Sequence, residues 1–324
     1  MMKTDDRVVA VVVTYNRKEL LKECLSAVLG QTRPVSRLVV VDNASTDGTK
    51  AALEEAGFLA NDRVEYLPLA QNLGGAGGFY HGMKHVVETL PYDFIWIMDD
   101  DTIPTPTCLE ELLRARARVQ EKAPETKVSF LASTVRGMQQ EPMNMPDIDS
   151  RPGTSGYAQW DEFLAEGLVR ISKATFVSIL VSEGAIRSCG LPWHGFFIWG
   201  DDSEYTNRIV KGFGPAYYVA KSLAIHKRKA SGGISIAAET NPNRLRMLWY
   251  HYRNQVILGV AAHGYLNAVR GALQRIWQNR RAFFSRHFAL KFRAIVLGSC
   301  AGFLAYSSYR AFVKTQIRKS ESNP

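Results

Sequence analysis

The sequence predicts an open α/β sheet with its ligand site at the carboxyl ends of the strands. Three observations predict it. Short β-branched apolar runs alternate four times with stretches of helical apolar spacing between residues 8 and 122. Each early strand ends in a polar or acidic turn, as at Thr14-Tyr15-Asn16, Asp42-Asn43 and Asp99-Asp100-Asp101. The chain has 324 residues, 46% of them hydrophobic, enough for one large domain or a domain with an appendage.

The elements follow in order. Residues 8–14 are apolar and β-branched, the mark of a buried parallel strand. Residues 18–31 place Leu20, Leu21, Cys24, Leu25 and Val28 on one helical face. A second strand is expected at 38–41 and a second helix at 46–55, capped by Ser45 or Thr46. Residues 64–67 suit a third strand. The glycine-rich segment 72–78 opens a helix to about residue 89. Residues 93–98 form an apolar strand running into the three aspartates, and a helix from Pro104 or Thr105 reaches residue 122. Residues 137–160 lack a period and read as a loop over the site. Strand character returns at 169–180 and 216–225, around a helix at 201–211. Residues 231–243 are polar and read as a mobile loop. From Arg244 onward the pattern is helical and basic.

Composition excludes collagen, coiled coil, solenoid repeats and wholesale disorder. The formal charge of +9 is unevenly spread. No Asp or Glu occurs from 240 to 320, so residues 240–324 carry +13 and the remainder −4. That asymmetry points to an anionic partner, a lipid surface or a nucleic acid. Trp249, Tyr250, Trp277, Phe284 and Phe288 interleave with the basic residues, a mix suited to helices in a lipid interface. The uncharged stretch 294–309, between Arg293 and Arg310, falls short of the ~20 residues of a spanning helix. A monotopic association is therefore expected; the alternative is a basic helical subdomain packed on the body. Domains are expected at 1–240 and 241–324. Cys24, Cys108, Cys189 and Cys300 share no ligand spacing and read as reduced core thiols in a cytosolic setting. The N-terminus lacks a signal-peptide layout.

Several clusters carry chemistry. Side chains alternate along an extended segment, so Asp99 and Asp101 face one way and offer a hard-oxygen site for Mg2+ or Mn2+. The bland reading is a solvated turn, but three adjacent acids at the mouth of a buried strand repel one another. Asp201 and Asp202 either cap the following helix or form a second acidic site beside the aromatic run from Trp193 to Trp199. Glu204 and Arg208 suit an ordinary i,i+4 pair. The aromatics are either core or a platform for a carbohydrate acceptor. The amides of Asn72 to Phe79 can approach a diphosphate at a helix N-terminus, or the glycines serve a tight turn. This is neither a dinucleotide fingerprint nor a Walker A sequence. His226 follows a strand and is either a ligand or structural.

With Thr14-Tyr15-Asn16, the stretch Val41 to Thr49 and Asp99-Asp100-Asp101 in order, the chain resembles the family 2 glycosyltransferases of the GT-A fold over roughly residues 6–230. The Asn72–Phe79 sequence and the pattern from Trp199 to Arg208 are similar to bacterial galactofuranosyltransferases of the galactan and O-antigen type. Trp249-Tyr250-His251-Tyr252-Arg253-Asn254 is similar to an element of that subgroup. Relatives often have Trp directly before the Asp pair, where this chain inserts Gly200.

The resemblance implies an inverting, metal-dependent hexosyltransferase. Thr14, Tyr15, Asn16 and Asp42 would line the nucleoside pocket. Asn72, Gly74, Gly75, Gly77 and Gly78 would lie near the donor sugar and diphosphate, with Asp99 and Asp100. Asp99, Asp101 and His226 would hold Mn2+ or Mg2+. Asp202 would be the general base, with Asp201 as fallback and Glu204 beside them. Trp193, His194, Trp199 and Arg253 would meet the acceptor. The implied donor is UDP-galactofuranose, or else dTDP-rhamnose. The implied acceptor is a polyprenyl-diphosphate-linked glycan at the cytoplasmic face of the inner membrane. The nucleic-acid-binding reading leaves the three aspartates unexplained, so no nucleic-acid partner is expected. A nucleotidyltransferase would also use a metal-binding α/β domain and would release pyrophosphate. The sequence does not determine the oligomeric state.

Overall fold

The computed structural model describes residues 6–153, 155–228 and 235–321. The polar stretch expected at 231–243 therefore lies partly outside the described residues. Strands β1 (Val8–Thr14), β2 (Arg37–Asp42), β3 (Val64–Pro68) and β4 (Phe94–Asp99) are parallel neighbours in the order β3-β2-β1-β4. The sheet continues through β9 (Ile179–Ser182), β6 (Phe130–Arg136), β10 (Ala216–His226), β8 (Leu168–Lys173) and β7 (Asp147–Ile148). A short β5 (Thr102–Pro104) pairs with the end of β10. The central strands are apolar throughout because both faces are covered. Helices α1 (Lys18–Leu29) and α4 (Cys108–Lys122) cover one face. Helices α3 (Gly74–Thr89), α5 (Glu183–Cys189) and α6 (Asp201–Gly212) cover the other.

The chain order reverses at β1, with β2 on one side and β4 on the other. The crevice outside the carboxyl ends of such strands is where open α/β sheets bind ligands. The register aims the site there: Thr14 lies opposite Asp42, and Val13 opposite Asp99.

Three local expectations are corrected. Helix α2 begins at Thr49 and ends at Glu55, and Gly48 at φ 82° precedes it without a side-chain cap. Ser45 and Thr46 are engaged elsewhere: Asp42 Oδ1 accepts from the Ser45 amide at 2.8 Å, and Asn16 Oδ1 from the Thr46 amide at 2.7 Å. Helix α4 begins at Cys108, because residues 102–104 are drawn into β5 instead. Cys300 is exposed, while the other three cysteines are buried.

The C-terminal part is helical: α7 (Pro242–Gln278), α8 (Phe288–Phe292) and α9 (Gly298–Glu321). Asn241 caps α7 by accepting from the Asn243 and Arg244 amides, and Pro242 occupies its first turn. Gly264, at φ 77°, breaks α7 into segments 242–263 and 265–278. Packing crosses the boundary drawn at 240. Ile257 of α7 and Tyr309 of α9 share one buried cluster with Ala76, Trp193 and Phe196.

Candidate active site

The strand ends build the first half of the site. After β4 the chain turns through Asp100 and Asp101 and enters β5, whose Thr102 pairs with His226 at the end of β10. That antiparallel pairing sets the His226 ring against Asp101, with Nε2 at 3.0 Å from Oδ1. Ligand atoms of Asp99, Asp101 and His226 all lie within 4.8 Å of one another. On its far side, His226 Nδ1 meets Asn144 Oδ1 at 2.8 Å. The amide oxygen can only accept, so Nδ1 donates to it and Nε2 is the ring atom turned to the carboxylates.

The electrostatics describe a site short of positive charge. Burial, with the charges of Asp101 and Asp100, holds the Asp99 carboxyl well above its ordinary pKa. Burial pushes Asp100 up to about 6, although Thr14 Oγ1 donates to it at 2.7 Å. For Asp101, burial works upward, but the hydrogen bond with His226 and the charge of Arg17 outweigh it and hold the group low. Arg17 Nη1 is 2.7 Å from Asp101 and 3.3 Å from Asp100. Two carboxylates and an imidazole, with their ligand atoms this close together, fit a divalent ion.

The expected nucleoside-binding side chains are largely occupied. Thr14 is spent on Asp100. Asp42 is buried and accepts from the Ser45 amide and the Tyr66 hydroxyl. Asn16 joins two loops, with its amide donating to Ser45 Oγ at 2.9 Å. Tyr15 is exposed and free to meet a base. Thr14, Asn16 and Asp42 thus brace the loops at the ends of β1 and β2.

The glycines of α3 divide by role. A Cβ on Gly77 would strike Leu73, and one on Gly78 would strike Val13. Both let α3 pack closely, on its own N-terminus and on β1. Gly74 stands at φ 71°, and a Cβ there would lie 2.0 Å from the Phe197 carbonyl oxygen. Its amide donates to Asn72 Oδ1, and Asn43 Nδ2 donates to its carbonyl. A Cβ on Gly75 would meet nothing within 4 Å. Gly75 is the glycine whose surroundings leave room for a ligand.

The second half of the site follows a contorted loop. Phe197, Trp199 and Gly200 have φ of 66°, 62° and 96° before α6 begins at Asp201. Non-glycine residues with positive φ persist only where their surroundings hold them. Here α7 holds them. Asn254 Nδ2 donates to the carbonyls of Phe196, Ile198 and Trp199 at 2.7–3.0 Å. Arg253 donates to Gly195 and Phe196, and Tyr250 stacks on Phe197 at 4.5 Å. The Phe197 carbonyl accepts from the Ala76 amide, tying this loop to the start of α3.

Asp201 and Asp202 do not serve as N-cap, a place taken by Gly200. Asp201 is buried, and its charge acts on Asp99. Burial raises both pKa values, with Asp202 adding to the rise of Asp201. Asp202 is half-buried and accepts from the Ser203 amide at 2.6 Å. Glu204 is buried, forms the i,i+4 pair with Arg208 at 2.7 Å, and accepts from Tyr309 at 2.8 Å. It anchors α6 to α9.

The expected acceptor residues are also redistributed. Trp193 is buried edge-on to Phe196 and Tyr309, so its ring is core. Arg253 spends its guanidinium on loop carbonyls and lies over Trp249 and Tyr250. His194 is exposed beside Tyr80 and Phe312. Trp199, half-buried with its edge to His251, directly precedes Gly200 and the acidic pair. Arg17, Asn144 and Asn254 were not anticipated in these roles. Arg17 follows directly on Thr14-Tyr15-Asn16, the signal that could have marked it. Asn144 lies in a stretch with no period to mark it.

Comparison with known proteins shows what this chain is similar to. Residues 9–119 match the model of the family described as Glycosyl transferase family 2. Galactofuranosyltransferase GlfT1 of Mycolicibacterium smegmatis is 30% identical over 205 residues, 63% of this chain and 65% of that protein. GlfT1 of Mycobacterium tuberculosis H37Rv is 28% identical over 208 residues, 64% of this chain and 65% of its own. The match spans just under two thirds of these relatives' length. Among solved structures, S. aureus TarS 1-349 superposes with a TM-score of 0.52 at 14% identity, covering 97% of this chain and 88% of that one. Mannosyltransferase PcManGT from Pyrobaculum calidifontis, in complex with GDP-Man and Mn2+, gives 0.52 at 19% identity, with 98% and 86% covered. These structural likenesses establish the fold.

Proposed function

The chain carries a family 2 glycosyl transferase domain on a GT-A fold, and we propose that it moves a sugar, with inversion, from a nucleotide-sugar donor to an acceptor hydroxyl. The observation that carries this reading is the facing of two acid sets. Asp99, Asp101 and His226 stand at the strand ends, and Asp201 and Asp202 open α6 close enough for Asp201 to act on Asp99.

A divalent cation held by Asp99, Asp101 and His226, Mn2+ or Mg2+, would supply charge to the diphosphate leaving group. The GlfT1 relatives are named galactofuranosyltransferases, which supports UDP-galactofuranose as donor, with dTDP-rhamnose as the alternative. Tyr15 would meet the base, and the open surroundings of Gly75 leave room for the diphosphate or sugar. Arg17, poised between Asp100 and Asp101, would add positive charge beside the phosphates.

Asp202 is the proposed general base. It accepts the proton of the acceptor hydroxyl as that oxygen attacks the anomeric carbon from the face opposite the diphosphate. The bond from the anomeric carbon to the diphosphate breaks, a nucleoside diphosphate leaves, and one displacement inverts the configuration. A raised pKa suits a base that must hold this proton. Asp201 is the fallback. The acceptor is proposed to be a polyprenyl-diphosphate-linked glycan, met at an anionic membrane surface on the cytoplasmic face. The +13 tail and two helices long and apolar enough to cross a membrane support that location.

Asp202→Asn should lower turnover by about 10²–10⁴, with UDP still raising the melting temperature in the presence of Mn2+. Near-wild-type turnover in that variant would sink the assignment of the base. Release of pyrophosphate in place of a nucleoside diphosphate would point to nucleotidyl transfer.

A further inference from the structure

Segment 265–278 turns one face inward and leaves the other bare. After the break at Gly264 the chain folds back on itself, so that the Ala268 side chain reaches Gly259. Val256, Val260, Ala268 and Ala272 form one buried cluster, with Phe303 and Tyr306 packed against it. The opposite face carries Leu266, Val269, Leu273 and Trp277, at spacings of three, four and four that make one stripe of a helix. Their exposures are 79%, 42%, 61% and 67%. Phe284 and Phe288, 92% and 63% exposed, continue the ridge beyond the helix end. Single exposed apolar residues are ordinary, but a contiguous ridge of this kind marks a contact surface.

The charges decide what the ridge meets. Arg270, Arg280, Arg281 and Arg286 are exposed along it, and Arg280 lies over the Trp277 ring at 4.4 Å. No carboxylate occurs between 240 and 320. Large apolar groups form the stripe itself and arginines accompany it. Acyl chains take the ridge while the guanidinium groups reach headgroup phosphates. A nucleic acid would want the arginines alone and leave the apolar stripe in water.

The fold also decides between lying on a bilayer and crossing it. Helices 242–278 and 288–317 are both long and apolar enough to cross. The first is broken at Gly264, and Arg253 and Asn254 of its first half hold the backbone at 195–199. The second donates from Tyr309 to Glu204 and accepts from the Leu191 amide through Gln316 Oε1 at 3.1 Å. Inserting either across a bilayer would tear out the side chains that shape the loop before Asp201 or anchor α6.

We propose that the ridge Leu266–Val269–Leu273–Trp277, with Phe284 and Phe288, docks in the plane of an anionic lipid interface without crossing it. This rests on the membrane reading above and names the surface and the mode. The docked segment lies one layer behind the catalytic loop. The charge of Arg275 acts on His251, and His251 meets Trp199, two residues before Asp201. A lipid-borne acceptor held at the same interface would have its head group near the base.

The test is co-flotation of the full chain with vesicles of phosphatidylcholine alone or mixed equally with phosphatidylglycerol. The wild type should float with the mixed vesicles, come off in high salt and be extracted by alkaline carbonate. Leu266→Asp/Leu273→Asp/Trp277→Asp should lower partitioning by roughly a hundredfold, with melting temperature and turnover on a soluble acceptor unchanged. Should that variant fail to fold, Arg270→Glu/Arg281→Glu carries the test by losing binding to the mixed vesicles. Wild-type flotation of a folded triple variant, or of the charge-reversal variant, would overturn the ridge and leave the membrane reading standing. Failure of the wild type to float would overturn both. Resistance to carbonate would overturn the in-plane mode alone.

Discussion

The two acid sets of the site are held by different means. Asp99 stands at the end of β4, where the parallel ladder sets Val13 opposite Asp99 and Thr14 opposite Asp42. Many backbone hydrogen bonds share the task of placing it. Asp201 and Asp202 follow a loop with three residues at positive φ, held by Asn254 and Arg253 more than 50 residues downstream. A few side chains do there what a whole sheet does at the strand ends. The difference teaches that the metal half should tolerate change around it, while the base half should fail on single substitutions far from the chemistry.

Gly74 is where the halves meet, so its substitution is the harshest test of that contrast. Gly74→Ala puts a Cβ against the Phe197 carbonyl at a positive φ. It should cost about 3 kcal/mol of stability or more in urea unfolding. A cost below ~1 kcal/mol would mean that α3 and the 197–200 loop are not locked together.

Asn254→Ala isolates the base half. It strips a donor from three carbonyls and should cost about 1–3 kcal/mol. Turnover should fall further than nucleotide affinity, because the strand-end acids are untouched. An equal loss in both would erase the distinction drawn here.

Asn144→Ala probes the metal half. His226 would lose the partner of its Nδ1, and Mn2+ affinity measured by calorimetry should weaken about 10–100-fold. Asn144→Asp, which restores an acceptor, should recover most of it. Unchanged affinity in the alanine variant would remove Asn144 from the site.

Legibility divides along the same line. The alternation of strands and helices and the three aspartates could be read because each depends on neighbours in sequence. A strand's apolar run and the acids at its end are one local fact. The surroundings of Glu204 and Trp193 could not be read, for the opposite reason. Their partners, Arg208 with Tyr309 and Phe196 with Tyr309, include a helix a hundred residues away. Two of the glycines expected near a diphosphate have a packing reason as well, the proximity of Leu73 to Gly77 and of Val13 to Gly78. A glycine that admits a ligand and one that admits a neighbouring side chain look alike until the neighbour is placed.

By itself, then, the sequence determined an α/β sheet, an acidic mouth at Asp99–Asp101, a second acidic pair at Asp201–Asp202 and a basic, aromatic tail. Each follows from local periodicity or from charges adjacent in the chain. Only the tertiary structure decided that His226 lies against Asp101, because a three-residue strand pairs across more than 120 positions. Only it decided that α7 holds the loop before Asp201. Hydrogen bonds from α7 to backbone carbonyls leave no pattern in the donor sequence, since a carbonyl is the same at every residue.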